Sequence, residues 1–434
     1  MPERPRVSFH TLGCRLNQAE TSTILKSFVE NDYEIVPFSE PAHICVINTC
    51  TVTEHSDAKN RQIIRSIHRK NPEVCIAVIG CYSQMAAEEI KKLDGVKLVI
   101  GNAEKLNLVS YIEQAQQRNT PLIINSKIAR EAFTEPVFQQ DNQTTRAHLK
   151  IQDGCDFMCS FCIIPFSRGR SRSRHSQNIT DEATTLIAGG AKEIVLTGVN
   201  VGTYWDDKKT LVDVVDMLDQ LPDLKRIRIS SIEPTTLSRS LLIRMADCHH
   251  KLVPYLHLPL QSGSNTILAE MKRQYTRESY IEEMRSAFEQ VPDLCIGTDV
   301  MVGFPGETEI EFEKTLQLLD SLPFAYFHVF PFSERKGTPA AKLNQKVHSK
   351  EKKERSTMLR ELSQEKRSSF YQDFIGKIRP VLFETPKMAG ESVGYTDNYI
   401  KVCLPEPLGA ELTNQMLPVR LLEYQKDVMA GQLV

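Results

Sequence analysis

Three thiols stand close together at Cys155, Cys159 and Cys162, in the run Cys155-Asp156-Phe157-Met158-Cys159-Ser160-Phe161-Cys162. The spacing is C-x3-C-x2-C. Thiols this close can hold three corners of an iron–sulfur cube, which leaves the fourth iron without a protein ligand. An open metal position can chelate and activate a substrate or cofactor, as at an open catalytic zinc site. The alternative is a structural zinc knot, which closes with four ligands. No fourth cysteine follows nearby and the first histidine downstream is His175, so the loop context and spacing favour the open cluster.

A second set of thiols is spread along the first third of the chain. Residues 1–130 alternate short apolar, β-branched runs (6–12, 43–48, 74–79) with helix-compatible stretches (18–30, 57–69), which predicts βαβ units and an open, mostly parallel sheet. Each run ends in a thiol, in Thr11-Leu12-Gly13-Cys14, Asn48-Thr49-Cys50 and Ile79-Gly80-Cys81. In a parallel sheet the carboxyl ends of the strands share one edge, where sites form. Cys14, Cys50 and Cys81 are therefore expected to converge and to hold a second cluster, with Gly13 and Gly80 letting the backbone approach a bulky ligand. Cys45 and Cys75 lie inside the apolar runs and read as core thiols.

After a polar linker at 131–146, six strand-like runs (147–152, 193–198, 226–231, 255–260, 294–302, 325–330) alternate with helical stretches (180–188, 211–221, 237–247, 277–290, 309–322). Six βα units predict a partial barrel with its site at the carboxyl ends of the strands. Polar or glycine-rich segments follow those ends: the cysteine loop, 198–200, 230–234, 261–264, 303–307 and 331–333. His257 alternates with leucines and could point into the barrel. Cys248-His249-His250 reads as a helix end at the surface, and Cys295 and Cys403 as core thiols. From about 371 onward, short strands and turns predict a small five-stranded barrel.

The 434 residues carry 11 cysteines, 25% charged residues and a formal net charge of −2. That length suits about three domains. The charge balance excludes a globally basic nucleic-acid binder, so nucleic-acid contact must rest on local patches. Candidates are the alternating Arg168, Arg170, Arg172 and Arg174; the stretch from Lys342 to Arg379, with eleven basic and five acidic residues; and Tyr395, Tyr399 and Lys401. The amino-terminal residues lack the apolar core of a signal peptide. No run reaches the roughly 18 apolar residues of a membrane helix. A reducing, cytoplasmic location with unpaired thiols is expected.

The 155–162 loop resembles the signature of the radical S-adenosylmethionine (SAM) enzymes. The whole chain resembles the methylthiotransferases, through Thr11-Leu-Gly-Cys14-Arg-Leu-Asn17, Asn48-Thr-Cys50-Thr-Val-Thr53, Gly80-Cys81 and that loop. The carboxyl-terminal segment resembles a TRAM domain, an RNA-binding module. The resemblance implies a methylthiotransferase amino-terminal domain (1–130), a radical SAM barrel (146–370) and a TRAM-like barrel (371–434). It implies two 4Fe-4S clusters, on Cys155, Cys159 and Cys162 and on Cys14, Cys50 and Cys81, with SAM chelated at the open iron of the first. Gly198 and Asn200 would lie near the SAM amino group. Ser231, Glu233 and Gln261 would face its ribose and methionine part, and the loop from Gly303 to Gly306 its ribose or adenine. The implied partners are tRNA and an electron donor such as a flavodoxin or ferredoxin, with no oligomeric state implied. Cys14-Arg15-Leu16-Asn17-Gln18-Ala19-Glu20 and Ser230-Ser-Ile-Glu-Pro234 resemble the branch acting on N6-threonylcarbamoyladenosine beside the anticodon. Sister branches act on isopentenyladenosine or on an aspartate of a ribosomal protein. The contrasting alternative from the residues alone is a zinc-bound, non-catalytic RNA-binding protein.

Overall fold

The computed structural model describes residues 4–138, 145–386, 392–404 and 409–434. The middle of the expected linker, 139–144, lies outside the described residues.

The first domain holds six parallel strands: β1 (Arg6–Thr11), β2 (Glu34–Val36), β3 (Ile44–Thr49), β4 (Cys75–Gly80), β5 (Val96–Ile100) and β6 (Leu122–Ile124), in the order β2-β1-β3-β4-β5-β6. The central strands β3 and β4 are buried along their whole length, because helices cover both faces of the sheet. Val7, Val46 and Ile79 pack under the helices α1 (Arg15–Glu30) and Leu108–Gln116. Ile47, Ile76 and Val78 pack on the other face with Ile64 and Tyr82 of the helices Glu54–Lys70 and Cys81–Ile90. Helix Glu54–Lys70 is capped by Thr53, which accepts from the Ser56 amide, and has acids in its first turn and His68, Arg69 and Lys70 in its last, as the helix dipole favours.

The middle region is a six-stranded parallel sheet in two halves. Strands β7 (Arg146–Lys150), β8 (Glu193–Thr197) and β9 (Arg226–Ile229) run in the order β9-β8-β7. Strands β10 (Tyr255–His257), β11 (Cys295–Val302) and β12 (Tyr326–Pro331) follow in the order β10-β11-β12. A parallel bridge between Ile227 and Leu252 joins the halves. β7 and β12 are the two edges, so the barrel is open between them, and one continuous apolar core lies between the sheet and its helices. Cys295 is buried in a separate cluster with Val253, Tyr255 and Ala325, whereas Cys248 is exposed beyond the end of helix Arg239–Ala246.

The carboxyl-terminal strands β13 (Ile378–Phe383), β14 (Ser392–Thr396), β15 (Lys401–Leu404), β16 (Met416–Gln425) and β17 (Val428–Leu433) close a barrel in the order β13-β14-β15-β17-β16. It seats against the amino-terminal ends of β7–β9. Arg226 donates to the Tyr395 carbonyl at 2.9 Å, and Arg228 to that of Asp397 at 2.9 Å while holding Glu193 at 2.7 Å. Tyr395 and Tyr399 stack at 5.0 Å, with the Arg146 guanidinium 4.5 Å over Tyr395. These tyrosines therefore form an interdomain anchor, where the sequence offers them with Lys401 as a candidate nucleic-acid contact. The Lys342 to Arg379 stretch is likewise committed in part to structure. Its helix Ser349–Gln372 lies along β12, and Arg355 pairs with Glu307 at 2.8 Å.

Candidate active site

The strand order places Cys14, Cys50 and Cys81 at the carboxyl ends of three neighbouring strands, β1, β3 and β4. Gly13 makes the approach close. It has φ of +103°, and a Cβ there would lie 2.7 Å from Cys50 Cβ and 3.1 Å from its sulfur. Gly80, at φ +97°, turns directly into the helix that Cys81 begins. Asn60 holds the Cys50 carbonyl at 2.7 Å, and Asn17 holds the carbonyls of Leu12 and Thr49 at 2.7 and 3.1 Å. Burial, with the Cys81 and Cys14 thiols adding, pushes the Cys50 thiol up to about 11.

The second trio lies in the loop after β7. Met158 adopts φ +46° within it, and the Cys162 amide donates to the Cys159 carbonyl at 3.0 Å. Burial, backed by the neighbouring thiols, raises Cys155 to about 11 and Cys162 to about 12. Three thiols side by side, one buried and two half-buried, are the donor set a multi-positive metal centre stabilises. Four-coordinate zinc with Zn–S bonds of about 2.3 Å brings its sulfurs to roughly 3.8 Å from each other. Among the described residues, only His257, Asp299 and His328 bring three ligand atoms within 4.8 Å of one another. Neither cysteine trio is so tight, which suits thiolates on separate irons better than one zinc ion.

The expected SAM-facing residues gather at the carboxyl ends of the barrel strands. Gly198 packs against Gln152, where a Cβ would lie 2.8 Å from Gln152 Oε1, and that oxygen accepts from the amides of Val199 and Asn200 at 2.9 and 3.0 Å. Asn200 is buried. Its Oδ1 accepts from the Glu233 amide at 3.3 Å, and its Nδ2 has no partner among the described residues, so a buried donor there is unsatisfied. Glu233 pairs with Arg273, and burial nevertheless raises its pKa. Gln261 holds φ of +67°, strained for a non-glycine residue, and its amide donates to the Asp299 carbonyl at 2.8 Å. Ser231 is half-buried just beyond β9. Gly303, at φ +72°, turns toward Lys352, with which a Cβ would clash at 2.4 Å, while the Gly306 amide donates to the Gln345 carbonyl at 3.0 Å. This loop is thus buttressed by the segment leading into helix Ser349–Gln372.

Arg273, Asp299 and His328 join the site beside His257, which the sequence marks as one that could point inward. Arg273, in a loop after β10, donates to the Cys159 sulfur at 3.2 Å and to Tyr275 at 3.0 Å. His257 does point inward, with Nε2 3.0 Å from Asp299 and its ring 5.7 Å from that of His328. The register pairs Asp299 with His328, so a period-two reading of three strands together would have placed these side chains on one face.

The alternating arginines are corrected. Arg168 and Arg174 are fully buried: Arg168 is held by Glu20 at 2.9 Å and Asp153 at 3.1 Å, and Arg174 pairs with Glu182. Arg172 reaches Asp153 at 3.2 Å, and Arg170, half-buried and 3.6 Å from Asp156, has the most exposed side chain of the four. The seam these residues build joins the two regions that carry the trios. Asn102 donates to the Cys81 sulfur at 3.5 Å and to the Ser167 carbonyl at 2.6 Å, five residues beyond Cys162. Arg335 reaches from beyond β12 to Thr51 at 2.7 Å and Asp57 at 2.5 Å, bracing the loop of Cys50.

The family model described as "Uncharacterized protein family UPF0004" matches residues 6–101, and that of the radical SAM superfamily matches residues 149–319. The threonylcarbamoyladenosine tRNA methylthiotransferase MtaB of Bacillus subtilis is 39% identical over 440 residues, covering 99% of this chain and 96% of that protein. Its namesake from Aquifex aeolicus is 38% identical, covering 92% and 96%. A tRNA-2-methylthio-N(6)-dimethylallyladenosine synthase of Clostridium botulinum is 34% identical, covering 86% and 85%. Among solved structures, the radical SAM methyltransferase TsrM from Kitasatospora setae shares the fold with a TM-score of 0.59 at 15% identity, covering 78% of this chain and 77% of that one. With relatives matching over nearly its full length, the chain belongs to the radical SAM tRNA methylthiotransferases, in the threonylcarbamoyladenosine branch.

Proposed function

We propose that this enzyme converts N6-threonylcarbamoyladenosine beside the anticodon of tRNA to its 2-methylthio derivative. Radical SAM membership brings one 4Fe-4S cluster and SAM. The finer reading assigns that cluster to Cys155, Cys159 and Cys162 and a second to Cys14, Cys50 and Cys81. When bound, these groups supply a radical that takes hydrogen from the adenine C2 position, and the sulfur and methyl group that replace it. The residues of the chain bind, orient and shield. Arg273 fixes Cys159 and Glu233 together. Asn200 offers its unpartnered amide beside the site. Gly198, Ser231, Gln261, Gly303 and Gly306 complete the expected SAM cradle. A cavity of about 430 Å³ is lined by Arg15, Gln18, Arg146, His148, Arg228 and Tyr399. Arg15 follows Cys14 directly and donates to Tyr399 at 3.1 Å. Cationic and aromatic walls suit a nucleobase that carries a carboxylate.

The observation that carries this reading is the seam. Asn102 ties Cys81 to the short helix after Cys162, which supports a reading in which the two trios share one space. The reading extends to domains at 1–130, 146–370 and 371–434, RNA contact by the last of them, a flavodoxin or ferredoxin as reductant, and a cytoplasmic location. No helix among the described residues is long and apolar enough to cross a membrane. The test is mass spectrometry of tRNA nucleosides from a deletion strain complemented with variants. Wild type restores the 2-methylthio nucleoside. Cys155→Ala abolishes SAM cleavage, and Cys50→Ala retains cleavage and makes no methylthio product. Methylthio product from the Cys50 variant would refute the division into two sites, and a change in isopentenyladenosine derivatives or in a ribosomal protein instead would refute the substrate.

A further inference from the structure

The buried charges at the seam are unusually dense. Glu20 of α1 is fully buried, and accepts from Lys105 at 2.5 Å, Lys150 at 2.9 Å and Arg168 at 2.9 and 3.0 Å. Asp153 and Glu135 take Lys150 at 3.0 Å each. Around these three carboxylates stand four cations, Lys105, Lys150, Arg168 and Arg172. The group therefore keeps a positive excess in a dry seam, where charge is screened least. That excess points at the thiols of the first domain. Arg168 donates to Asn17 Oδ1 at 2.6 Å, and that oxygen accepts from the Cys14 thiol at 3.9 Å. Lys105 donates to Asn102 Oδ1 at 2.7 Å, and Asn102 Nδ2 points at the Cys81 sulfur. Although burial opposes its charge, Arg168 is held well above the ordinary arginine range, with Cys81 the leading favourable partner ahead of Glu20 and Asp153. Arg168 belongs to the radical SAM loop, one residue beyond helix Ile164–Ser167.

We infer that Arg168, through its charge at the seam and together with Asn102, which donates to the Cys81 sulfur, is a positioning residue of the auxiliary cluster: it sets that cluster's reduction potential from the other domain. This rests on the proposed cluster at Cys14, Cys50 and Cys81. Removing a buried cation beside a thiolate-bound cluster disfavours the added electron, so the midpoint falls. Asn102 donates to sulfur without carrying charge, so its loss lowers the midpoint less.

The test uses the full chain, purified and reconstituted without oxygen, with EPR-monitored redox titration. In a Cys155→Ala/Cys159→Ala/Cys162→Ala background only the auxiliary cluster contributes signal. There Arg168→Met shifts its midpoint to more negative potential, Arg168→Lys restores most of the shift, and Asn102→Leu gives a smaller shift of the same sign. In the otherwise wild-type chain, the midpoint of the SAM-binding cluster stays in place. If Arg168→Met fails to fold, Asn102→Leu carries the measurement. Full iron with an unmoved midpoint in all of these refutes the inference alone. A background chain that binds no iron refutes the second cluster and this inference with it.

Discussion

Gly13→Ala is the sharpest perturbation of the first trio. The native backbone at this position has φ of +103°, and the added methyl carbon would sit 2.7 Å from Cys50 Cβ, 3.1 Å from the Cys50 sulfur and 3.1 Å from Asn17 Nδ2. A left-handed conformation costs an L-residue about 1–2 kcal/mol. Overpacking a tight contact adds about 1–3 kcal/mol. The strain is therefore about 2–5 kcal/mol, and relief must come from moving a ligand. Asn60 pins Cys50 through its carbonyl, and Asn17 pins the neighbouring Leu12 and Thr49, so displacement falls on the thiol geometry rather than on the sheet. Iron and acid-labile sulfide in the purified protein should fall by about half, 5′-deoxyadenosine should still form, and methylthio product should vanish. Gly376→Ala is the control, since φ there is +85° and nothing lies within 4 Å of the added carbon. That variant suffers backbone strain alone and keeps its iron. Full iron and wild-type product formation in Gly13→Ala would refute the argument that this glycine exists to admit Cys50.

Arg273→Met should lower SAM affinity or 5′-deoxyadenosine formation by about 10–100-fold, the usual effect of losing a partner one layer outside a metal site; Arg273→Lys recovers part of it, and an unchanged cleavage rate would exclude the role. Arg228→Ala leaves Glu193 buried and strips the docking bonds to the carboxyl-terminal barrel, at a cost of about 3–5 kcal/mol; thermal unfolding and protease release of that barrel report it, and an unshifted transition counts against the anchor. His148 sets a pH dependence. Burial, with Arg15 and Arg146 adding, pushes its folded pKa down to about 4, against about 6.5 unfolded. Between those values the unfolded chain binds more protons, so stability is complete above about pH 6.5 and declines as pH falls toward 4, by at most about 3 kcal/mol. His148→Asn should flatten the difference in chemical denaturation between pH 7 and pH 5, and an unchanged difference would assign the dependence elsewhere.

How much of this was legible depends on sequence range. The strands bearing Cys14, Cys50 and Cys81 and the loop of Cys155 declare themselves locally: apolar β-branched runs end abruptly in Gly-Cys or Thr-Cys, and topology alone then aligns the ends. The strand Val428–Leu433 was not individually placed, because its hairpin turns on Lys426 and Asp427, at φ of +48° and +67°, in place of the Asn-Gly pair that marks such turns. Strands Glu34–Val36 and Leu122–Ile124 are three-residue edges with too few positions to show a period.

The arginines were misread for a deeper reason. Alternating basic residues beside an active site look alike in sequence whether they meet phosphate or carboxylate, and what decides is the partner. For Arg168 the partners are Glu20, 148 positions away, and Asn17, 151 away, beyond the range of any local pattern. Tyr395 and Tyr399 likewise find their partners far along the chain, under the guanidinium groups of Arg146 and Arg228. Charge that sequence reading assigns to RNA is in large part consumed in joining three domains around the clusters. The more exposed cations, such as Arg170, paired with the exposed Asp156 at 3.6 Å, and the outer lysines of helix Ser349–Gln372, are where phosphate contact has to be sought. Replacing Arg170 with glutamine should therefore weaken tRNA binding and flatten its salt dependence by about one phosphate contact, while replacing Arg174 should cost folding and leave the salt slope of the surviving protein unchanged.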